Sequence, residues 1–321
     1  MSNERTVDSR CGDSRLSELL FSVVIVCYNH EDFIREAVES ALSQAYPGKE
    51  IIVVDDSSRD RTPDILDSFG DSIILAKLPQ NIGALAARNH GASLASGQYL
   101  VFLDGDDALM SRALEVYGRL ITARGPKLIL ARSAKCYGKI PEAHKTDLPC
   151  DIQFAEYTNF LAKDRPWVYN TSSLVVERAT FWSAHGWSAG IFYQDIQDLL
   201  NKLGVSGKTI LVLAPDTVWY RMHLTNAVRK VSPFIAGIYV LLAKARAGAY
   251  PGGRANSLKR AAWFGGLIFY WMKEAIRTGL YREGLTLLAS EWWMILLAIM
   301  RRGTAWVVGR KPVEILPLEH N

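Results

Sequence analysis

Residues 21–44, FSVVIVCYNHEDFIREAVESALSQ, join a β-branched run to a helical repeat. The run FSVVIVCYN is largely apolar and too short for a helix, which favours a strand buried on both faces. From Phe33 to Leu42 the apolar side chains recur every three or four residues, as on one face of a helix. The stretch therefore predicts a buried strand followed by an amphipathic helix.

The residues up to 104 repeat this alternation. Strands are predicted for EIIVVDD (50–56), SIILAKL (72–78) and YLVFLD (99–104), and helices for RTPDILDSF (61–69) and GALAARNHGASLA (83–95). Strands that alternate with helices form a parallel sheet. We therefore predict an α/β fold with a mostly parallel, Rossmann-like central sheet flanked by helices.

Three polar loops follow predicted strands, namely CYNHED (27–32), DDSSRDRT (55–62) and DGDD (104–107). In such sheets ligands bind outside the carboxyl ends of the strands, where the strand order reverses. We expect the three loops to meet there.

The loop DGDD holds Asp104, Asp106 and Asp107, whose like charges repel unless they are solvated or share a cation. Mg²⁺ and Mn²⁺ bind carboxylate ligands, and Mg²⁺ is commonly coordinated by the oxygens of a bound phosphate as well. That interpretation implies a phosphate-bearing substrate. Alternatively, Asp106 and Asp107 cap the helix that MSRALEVYGRL (110–120) predicts. The loop alone leaves both interpretations open.

The composition is that of a globular protein, with 321 residues of which 49% are apolar. The net charge of +4 is uneven, because residues 1–220 carry 22 Lys and Arg against 28 Asp and Glu, whereas 221–321 carry 15 against 5. The two parts are therefore expected to face different partners. The polar stretch 1–20 predicts a flexible leader and not a secretory signal. Four cysteines without paired spacing predict free thiols.

Four segments, in this order and spacing, resemble the nucleotide-sugar glycosyltransferases of family 2, which have the GT-A fold: SVVIVCYNHEDFIREAVESALSQ, EIIVVDDSSRDRT, NIGALAARNHGASLASGQYLVFLDGDD and QDIQD. The resemblance implies a GT-A domain at 21–225, with a nucleotide-binding half (21–107) and an acceptor half (108–225). A basic, amphipathic helical region follows at 226–321.

The resemblance also implies residues that bind the nucleotide. Asp56 matches the carboxylate that accepts a hydrogen bond from the N3 imide of uracil or thymine, because a carboxylate can only accept. Asp55 matches its acidic neighbour, and Tyr28 is expected to pack on the base. The alternative for both carboxylates is a strand end that opens an Asx-turn.

Further along, the resemblance implies a cradle for the diphosphate. Gly83 permits a tight helix entry beneath the nucleotide. Arg88 is expected to bind a carboxylate or the diphosphate. Alternatively, it is a structural partner of Asp104. Asp104 is expected to contact the ribose or the sugar. Asp106 is the expected metal ligand, and His223 either completes the metal or diphosphate site or is structural.

The segment QDIQD resembles the acidic pair that precedes a helix in this family. Asp195 is the expected general base, which removes the proton of the acceptor hydroxyl in an inverting transfer. Gln194 stands where Glu is usual and is a candidate acceptor contact, and Asp198 is the second candidate base. Alternatively, both carboxylates only complement the helix dipole.

The aromatic residues of the acceptor half are candidates for stacking on a sugar. Trp167 and Trp187 are the principal ones, with Tyr169 and Trp182 beside them. The alternative is that most of them fill the core.

Beyond residue 230, Trp-rich apolar stretches alternate with Arg and Lys and predict helices at 232–248, 257–279, 281–303 and 304–311. Glu291 interrupts the longest apolar run, so we expect it to be too short to span a bilayer, which takes about 20 residues. Basic helices of this kind favour contact with an anionic membrane surface. A cap on the catalytic domain or on another subunit is the alternative, and oligomerisation stays open. Nucleic acid is not an expected partner, because long apolar runs dilute the charge.

The predicted function is a metal-dependent (Mn²⁺ or Mg²⁺) inverting glycosyltransferase of cell-surface polysaccharide or glycoconjugate synthesis. It would move a sugar from a UDP- or dTDP-sugar to a saccharide or lipid-linked acceptor, in the cytoplasm or on the cytoplasmic face of the membrane. A catalytically silent nucleotide-binding scaffold is the first alternative. A nucleotidyltransferase is the second, although CYNHED is not the Gly-rich loop with Lys expected there.

Overall fold

The computed structural model describes residues 20–141, 151–159, 161, 170–191, 193–203, 207–223, 231–308 and 313–317. The strands are β1 Phe21–Cys27, β2 Lys49–Asp55, β3 Ile74–Lys77, β4 Tyr99–Asp104, β5 Ala108–Leu109, β6 Leu128–Tyr137, β7 Asp151–Tyr157, β8 Leu174–Glu177, β9 Thr209–Met222 and β10 Glu314–Pro317. The α-helices are α1 Ile34–Leu42, α2 Thr62–Asp67, α3 Ala84–Leu94, α4 Ala113–Arg124, α5 Arg178–Ser183, α6 Asp195–Leu203, α7 Val231–Arg246, α8 Ser257–Arg277 and α9 Tyr281–Val308.

The strands of the described residues form one mixed sheet in the order β10-β7-β9-β6-β8-β4-β1-β2-β3, with β5 paired to β9. β3, β2, β1 and β4 are parallel, and β8 runs antiparallel to β4 and β6. The chain moves from β1 outward through β2 and β3 and then returns to place β4 on the other side of β1. The strand order therefore reverses between β1 and β4, where a ligand crevice is expected.

Every residue of β1 is buried, as its uninterrupted apolar run predicts. Val24 and Val26 belong to the core on one face of the sheet, whereas Val23 and Ile25 belong to the core on the other. Alternate side chains thus anchor helices on both faces, because neighbouring residues of a strand point to opposite sides. The predicted α/β class is confirmed.

The C-terminal part is helical, as predicted, and packs as a hairpin of α8 and α9. A Cβ atom added to Gly265 on α8 would lie 1.8 Å from the Met294 carbonyl oxygen on α9, so only glycine permits this approach. The boundary predicted between helices at 281–303 and 304–311 is not observed, because α9 runs on to Val308. Its irregularity is instead a kink at Glu291, which joins two helical segments. β10 then returns to the sheet and pairs with β7.

The expectation that the longest apolar run of this region is too short to span a bilayer is wrong. Within α9, residues Tyr281–Gly303 form a helix that is long and apolar enough to cross a membrane by length and composition, although only 33% of its most apolar window is buried inside the protein. Length and composition alone do not establish a span, because the core helices of soluble proteins share them. The length does show that the helix is not too short.

Candidate active site

The polar loops after β1, β2 and β4 meet, as predicted. The Asp56 amide donates to the Cys27 carbonyl oxygen and the Gly105 amide to the Val26 carbonyl oxygen, both at 2.9 Å. A Cβ atom at Gly105 would lie 2.7 Å from His30 Nδ1, so glycine is required where two of the loops touch. The reversal of strand order therefore brings the three loops into one crevice.

The three aspartates of the third loop form a compact cluster, in which one carboxylate oxygen from each of Asp104, Asp106 and Asp107 lies within 4.8 Å of the others. Burial, then the carboxylates of Asp106 and Asp104, raise the pKa of Asp107 well above its usual value. The helix-cap alternative is wrong, because α4 begins only at Ala113 and its N-cap residue is Arg112. Closely spaced carboxylate oxygens are ligands that a hard divalent cation prefers.

Asp107 has a structural role within this cluster. It accepts hydrogen bonds from the Ser172 hydroxyl at 2.5 Å and from the Arg221 amide at 3.0 Å. The same hydroxyl accepts from the Asp104 amide at 3.0 Å. Ser172 therefore holds the backbone and one carboxylate of the acidic loop, and nothing in the sequence around it identified this role. Asp104 and Asp106 remain the more accessible members.

Arg88 joins the acidic loop to the helix that carries the candidate base. Its guanidinium lies 2.6 Å from Asp104 Oδ1 and 3.2 Å from Asp195 Oδ2, and it packs over the Trp187 ring. The structural alternative for Arg88 is thus confirmed. Burial raises the pKa of Asp104 although the neighbouring guanidinium opposes that rise. One buried cation therefore sets the distance between the acidic loop and Asp195.

Asp195 is the first residue of α6, and its side chain is 21% exposed. It is thus fixed by the helix and by Arg88 while part of its carboxylate faces solvent. This geometry suits a base that must reach an incoming hydroxyl group.

The second candidate base is corrected by the structure. Asp198 is buried and accepts a hydrogen bond from the Tyr250 hydroxyl at 2.7 Å, and it forms ion pairs with Lys244 Nζ at 2.6 Å and Lys202 Nζ at 3.6 Å. Burial alone would raise the pKa of Asp198, but hydrogen bonds from Lys244, Ser188 and Tyr250 lower it below its usual value. Asp198 therefore anchors α6 to the C-terminal helices and is not placed to accept a substrate proton.

Two candidate acceptor residues are likewise buried, which corrects their predicted role. The Gln194 side chain donates to the Phe234 carbonyl oxygen at 3.1 Å. Trp187 packs against Phe102 and Phe181 in the core, so its ring offers no face to a sugar. Trp182 is partly exposed. Trp167 lies outside the described residues, as does Tyr169.

On the nucleotide side, Asp56 accepts hydrogen bonds from the amides of Ile82 at 2.7 Å and Gly83 at 2.9 Å. Gly83 has a φ of +86° and precedes α3 directly, which confirms the tight helix entry. Asp55 accepts from the Ser58 amide, three residues later, at 3.2 Å, which is a local turn contact, whereas the contacts of Asp56 are not those of the Asx-turn alternative. Tyr28 is 41% exposed at the end of β1. Contact between these residues and a base stays a prediction.

His223 contacts the acidic cluster through Asp106. Its Nε2 lies 2.8 Å from Asp106 Oδ2, and its ring stacks on Phe33. By contrast, Arg221 is buried, donates to the Asp106 carbonyl oxygen at 2.8 Å and pairs with Glu36. His223 therefore faces the candidate metal site, whereas Arg221 fixes the backbone of the acidic loop and does not face a phosphate.

A sequence profile of Glycosyl transferase family 2 matches residues 22–185, just over half of the chain. The chain belongs to glycosyltransferase family 2. This glycosyltransferase is 49% identical over 89 residues to UDP-Glc:alpha-D-GlcNAc-diphosphoundecaprenol beta-1,3-glucosyltransferase WfaP of Escherichia coli. It is 41% identical over 99 residues to the putative teichuronic acid biosynthesis glycosyltransferase TuaG of Bacillus subtilis.

These matches cover 27% and 30% of the glycosyltransferase and 36% and 39% of the two relatives. The chain thus spans well under half the length of those relatives. Among solved structures, S. aureus TarS 1–349 in complex with UDP-GlcNAc has a TM-score of 0.66 at 14% identity, with 94% of this chain and 99% of that chain covered. This likeness confirms the GT-A fold.

The buried contacts of Asp198 give a prediction on stability. We expect Asp198→Asn to lower the free energy of unfolding by about 3 kcal/mol, because removal of one member of a buried pair leaves the other uncompensated. Asp216→Asn is the matched control, since Asp216 pairs with Arg132 at a partly exposed site and such pairs contribute about 0–1 kcal/mol. Urea denaturation measures both. Equal losses would show that Asp198 does not anchor α6.

Proposed function

We propose that this glycosyltransferase moves a sugar from a UDP-sugar to an acceptor hydroxyl with inversion at the anomeric carbon, assisted by a divalent metal. The observation that carries the proposal is the bridge by Arg88 between Asp104 and Asp195. It joins a carboxylate cluster suited to a metal diphosphate to a partly exposed carboxylate suited to deprotonating an acceptor. The proposed donor site and the proposed acceptor site would then lie on either side of the Arg88 guanidinium.

The donor nucleotide would lie over the ends of β1 and β2. Tyr28 would stack on the uracil ring, and Asp56 would accept from its N3 imide while the amides of Ile82 and Gly83 hold the carboxylate. The TarS structure contains UDP-GlcNAc, and the name of the E. coli relative specifies UDP-Glc. These two observations favour UDP over dTDP.

The residues at the end of β4 fit Mn²⁺ or Mg²⁺. Asp106 and His223 would be its ligands, with Asp104 beside them, because the oxygens of the aspartates lie within 4.8 Å of one another, His223 Nε2 lies 2.8 Å from Asp106 Oδ2, and carboxylate oxygens suit hard cations. When bound, the metal would neutralise the charge that develops on the departing diphosphate. Asp107 would keep the loop in shape through Ser172 and the Arg221 amide.

Asp195 would be the general base. Its carboxylate takes the proton of the acceptor hydroxyl as that oxygen attacks the anomeric carbon, and the bond to the diphosphate breaks on the opposite side. An inverting transfer needs one protein base, on the acceptor side. Arg88 orients this carboxylate through the contact at 3.2 Å.

A lipid-linked saccharide is the proposed acceptor class, which would place the enzyme in cell-surface polysaccharide synthesis at the cytoplasmic face of the membrane. The names of the relatives support this, since one acts on a diphosphoundecaprenol-linked GlcNAc and the other is assigned to teichuronic acid biosynthesis. Together with the basic C-terminal helices, they favour a membrane-associated substrate.

A transfer assay tests the proposal. Purified protein is incubated with a panel of UDP-sugars and lipid-linked saccharides, with Mn²⁺ or with EDTA, and the release of UDP is measured. We expect transfer that requires the metal, and NMR of the product should show the anomeric configuration inverted. Retention of configuration, or undiminished transfer in EDTA, would contradict the mechanism.

A further inference from the structure

Helix α9 has two faces of different character. Leu287, Met294 and Ile295 are buried, and Gly265 of α8 packs against the backbone at Met294. The opposite side, here called the outer face, carries large apolar side chains at spacings of three or four residues. It consists of Leu285, Leu288, Trp292, Leu296 and Ile299, each between 40% and 59% exposed.

This exposure is unusual because it is contiguous. Single exposed apolar residues are common on soluble proteins, whereas apolar residues that recur on one face of a long helix mark an interaction surface. Trp293 and Met300 flank the stripe and are also exposed, at 39% and 59%. The outer face therefore has the character of an interaction surface.

The charge around the outer face indicates what covers it. Residues 221–321 carry 15 Lys and Arg against 5 Asp and Glu, although some of these cations pair with carboxylates away from the outer face, as Lys244 does with Asp198. Near the hairpin, Arg282 lies where α8 meets α9, and Lys259 and Arg302 lie at the other end. Arg277 pairs with Glu274. An apolar stripe between basic ends complements a surface with an anionic outer layer and an apolar interior.

We propose that the outer face of α9 docks on an anionic lipid bilayer, with the helix lying in the plane of the interface. The exposed Trp292 and Trp293 would sit at the level of the headgroups, where aromatic side chains are favoured. This inference rests on the proposed function, because a membrane-bound acceptor would require the enzyme to bind the membrane. Lipid binding can nevertheless be measured without any transfer of sugar.

Glu291 argues for lying on the bilayer and against crossing it. It is buried beneath the middle of α9, where the helix departs from regular backbone angles, and it pairs with Arg246 of α7 at 2.5 Å. A span would carry this carboxylate and its partner into hydrocarbon, which is costly. It would also strip α8 from the close contact at Gly265.

A second copy of the chain is the less favoured occupant. If two outer faces met, the basic side chains at both ends of each hairpin would face one another, and like charges oppose such an interface. An anionic bilayer instead attracts every one of them.

Vesicle flotation with the full chain tests the proposal. The probes are vesicles of phosphatidylcholine alone and vesicles containing about one third phosphatidylglycerol. We expect the wild type to float with the anionic vesicles and to be partly released by high salt. Trp292→Glu combined with Leu296→Glu should reduce the bound fraction at least tenfold.

Ile74→Glu combined with Leu94→Glu is the matched control, because it replaces two similarly exposed apolar residues of the catalytic domain. It should float like the wild type. Circular dichroism and UDP binding of both double variants check that they are folded and keep the nucleotide site, so that loss of lipid binding is distinguished from loss of function.

Three results would overturn the proposal. The first is equal flotation of the Trp292→Glu, Leu296→Glu variant and the wild type. The second is resistance of the bound protein to alkaline carbonate, which would mean that α9 spans the bilayer. The third is a wild-type dimer, seen by light scattering, that the double variant does not form, while neither the wild type nor the variant floats. That result would assign the outer face to a second copy of the chain.

Discussion

Asp195→Asn is expected to lower the turnover number by about 10²- to 10⁴-fold, the range that general-base catalysis contributes. Asparagine has nearly the same shape and its amide oxygen can still accept a hydrogen bond from Arg88, but it cannot take a proton from the acceptor. The proposed donor site lies on the other side of that arginine, where it pairs with Asp104. We therefore expect UDP affinity to change by less than about threefold, so that the loss falls on kcat.

Asp64→Asn is the matched control for this variant. Asp64 is an exposed carboxylate in the first turn of α2, as Asp195 is in the first turn of α6. If Asp195 acted only on the helix dipole, both substitutions would cost about 0.3–1 kcal/mol of stability and leave turnover alone. Unchanged turnover in Asp195→Asn would remove this residue from the mechanism.

Asp106→Ala is expected to abolish the effect of metal on donor binding. The substitution removes a carboxylate that lies within 4.8 Å of its acidic neighbours and 2.8 Å from His223, so the cation loses a charged ligand. UDP should then bind no more tightly with Mn²⁺ than with EDTA, and transfer should fall at least a hundredfold. Calorimetry and the transfer assay measure the two effects separately.

Asp71→Ala, at an exposed site after α2, removes the same charge outside the crevice and should leave both quantities unchanged. If Asp106→Ala kept the full enhancement by Mn²⁺, the metal would have to bind elsewhere. The variants of Asp106 and Asp195 thus separate the donor site from the base.

The parallel half of the fold could be predicted because its signals are local. β1, β2 and β4 are strands of six or seven residues with a largely apolar centre, and polar residues mark the carboxyl end of each. The strand pairings of the antiparallel half could not be predicted in this way. β10 is a short edge strand whose partner, β7, lies far back in the chain, and no local pattern specifies such a pairing.

The site divides along the same line. Motifs mark the aspartates of the acidic loop and Asp195, and the pairing of Arg88 with Asp104, 16 residues away, was one of the predicted alternatives. The contact of Arg88 with Asp195, 107 residues away, is revealed only by the fold. Asp195 and Asp198 are chemically alike and one helical turn apart. What distinguishes them is the Tyr250 hydroxyl, supplied 52 residues later. Trp187 was misjudged because an aromatic ring suits a core and a sugar equally well.

Calorimetric titration of the purified protein with UDP, dTDP, GDP and CDP, each with Mn²⁺ and with EDTA, tests the proposed donor site most directly. We expect UDP to bind more tightly than the other three nucleotides, and its affinity to fall at least tenfold in EDTA. Failure of a folded sample to bind any of the four would contradict the proposed donor site, and so would UDP binding that is indifferent to the metal.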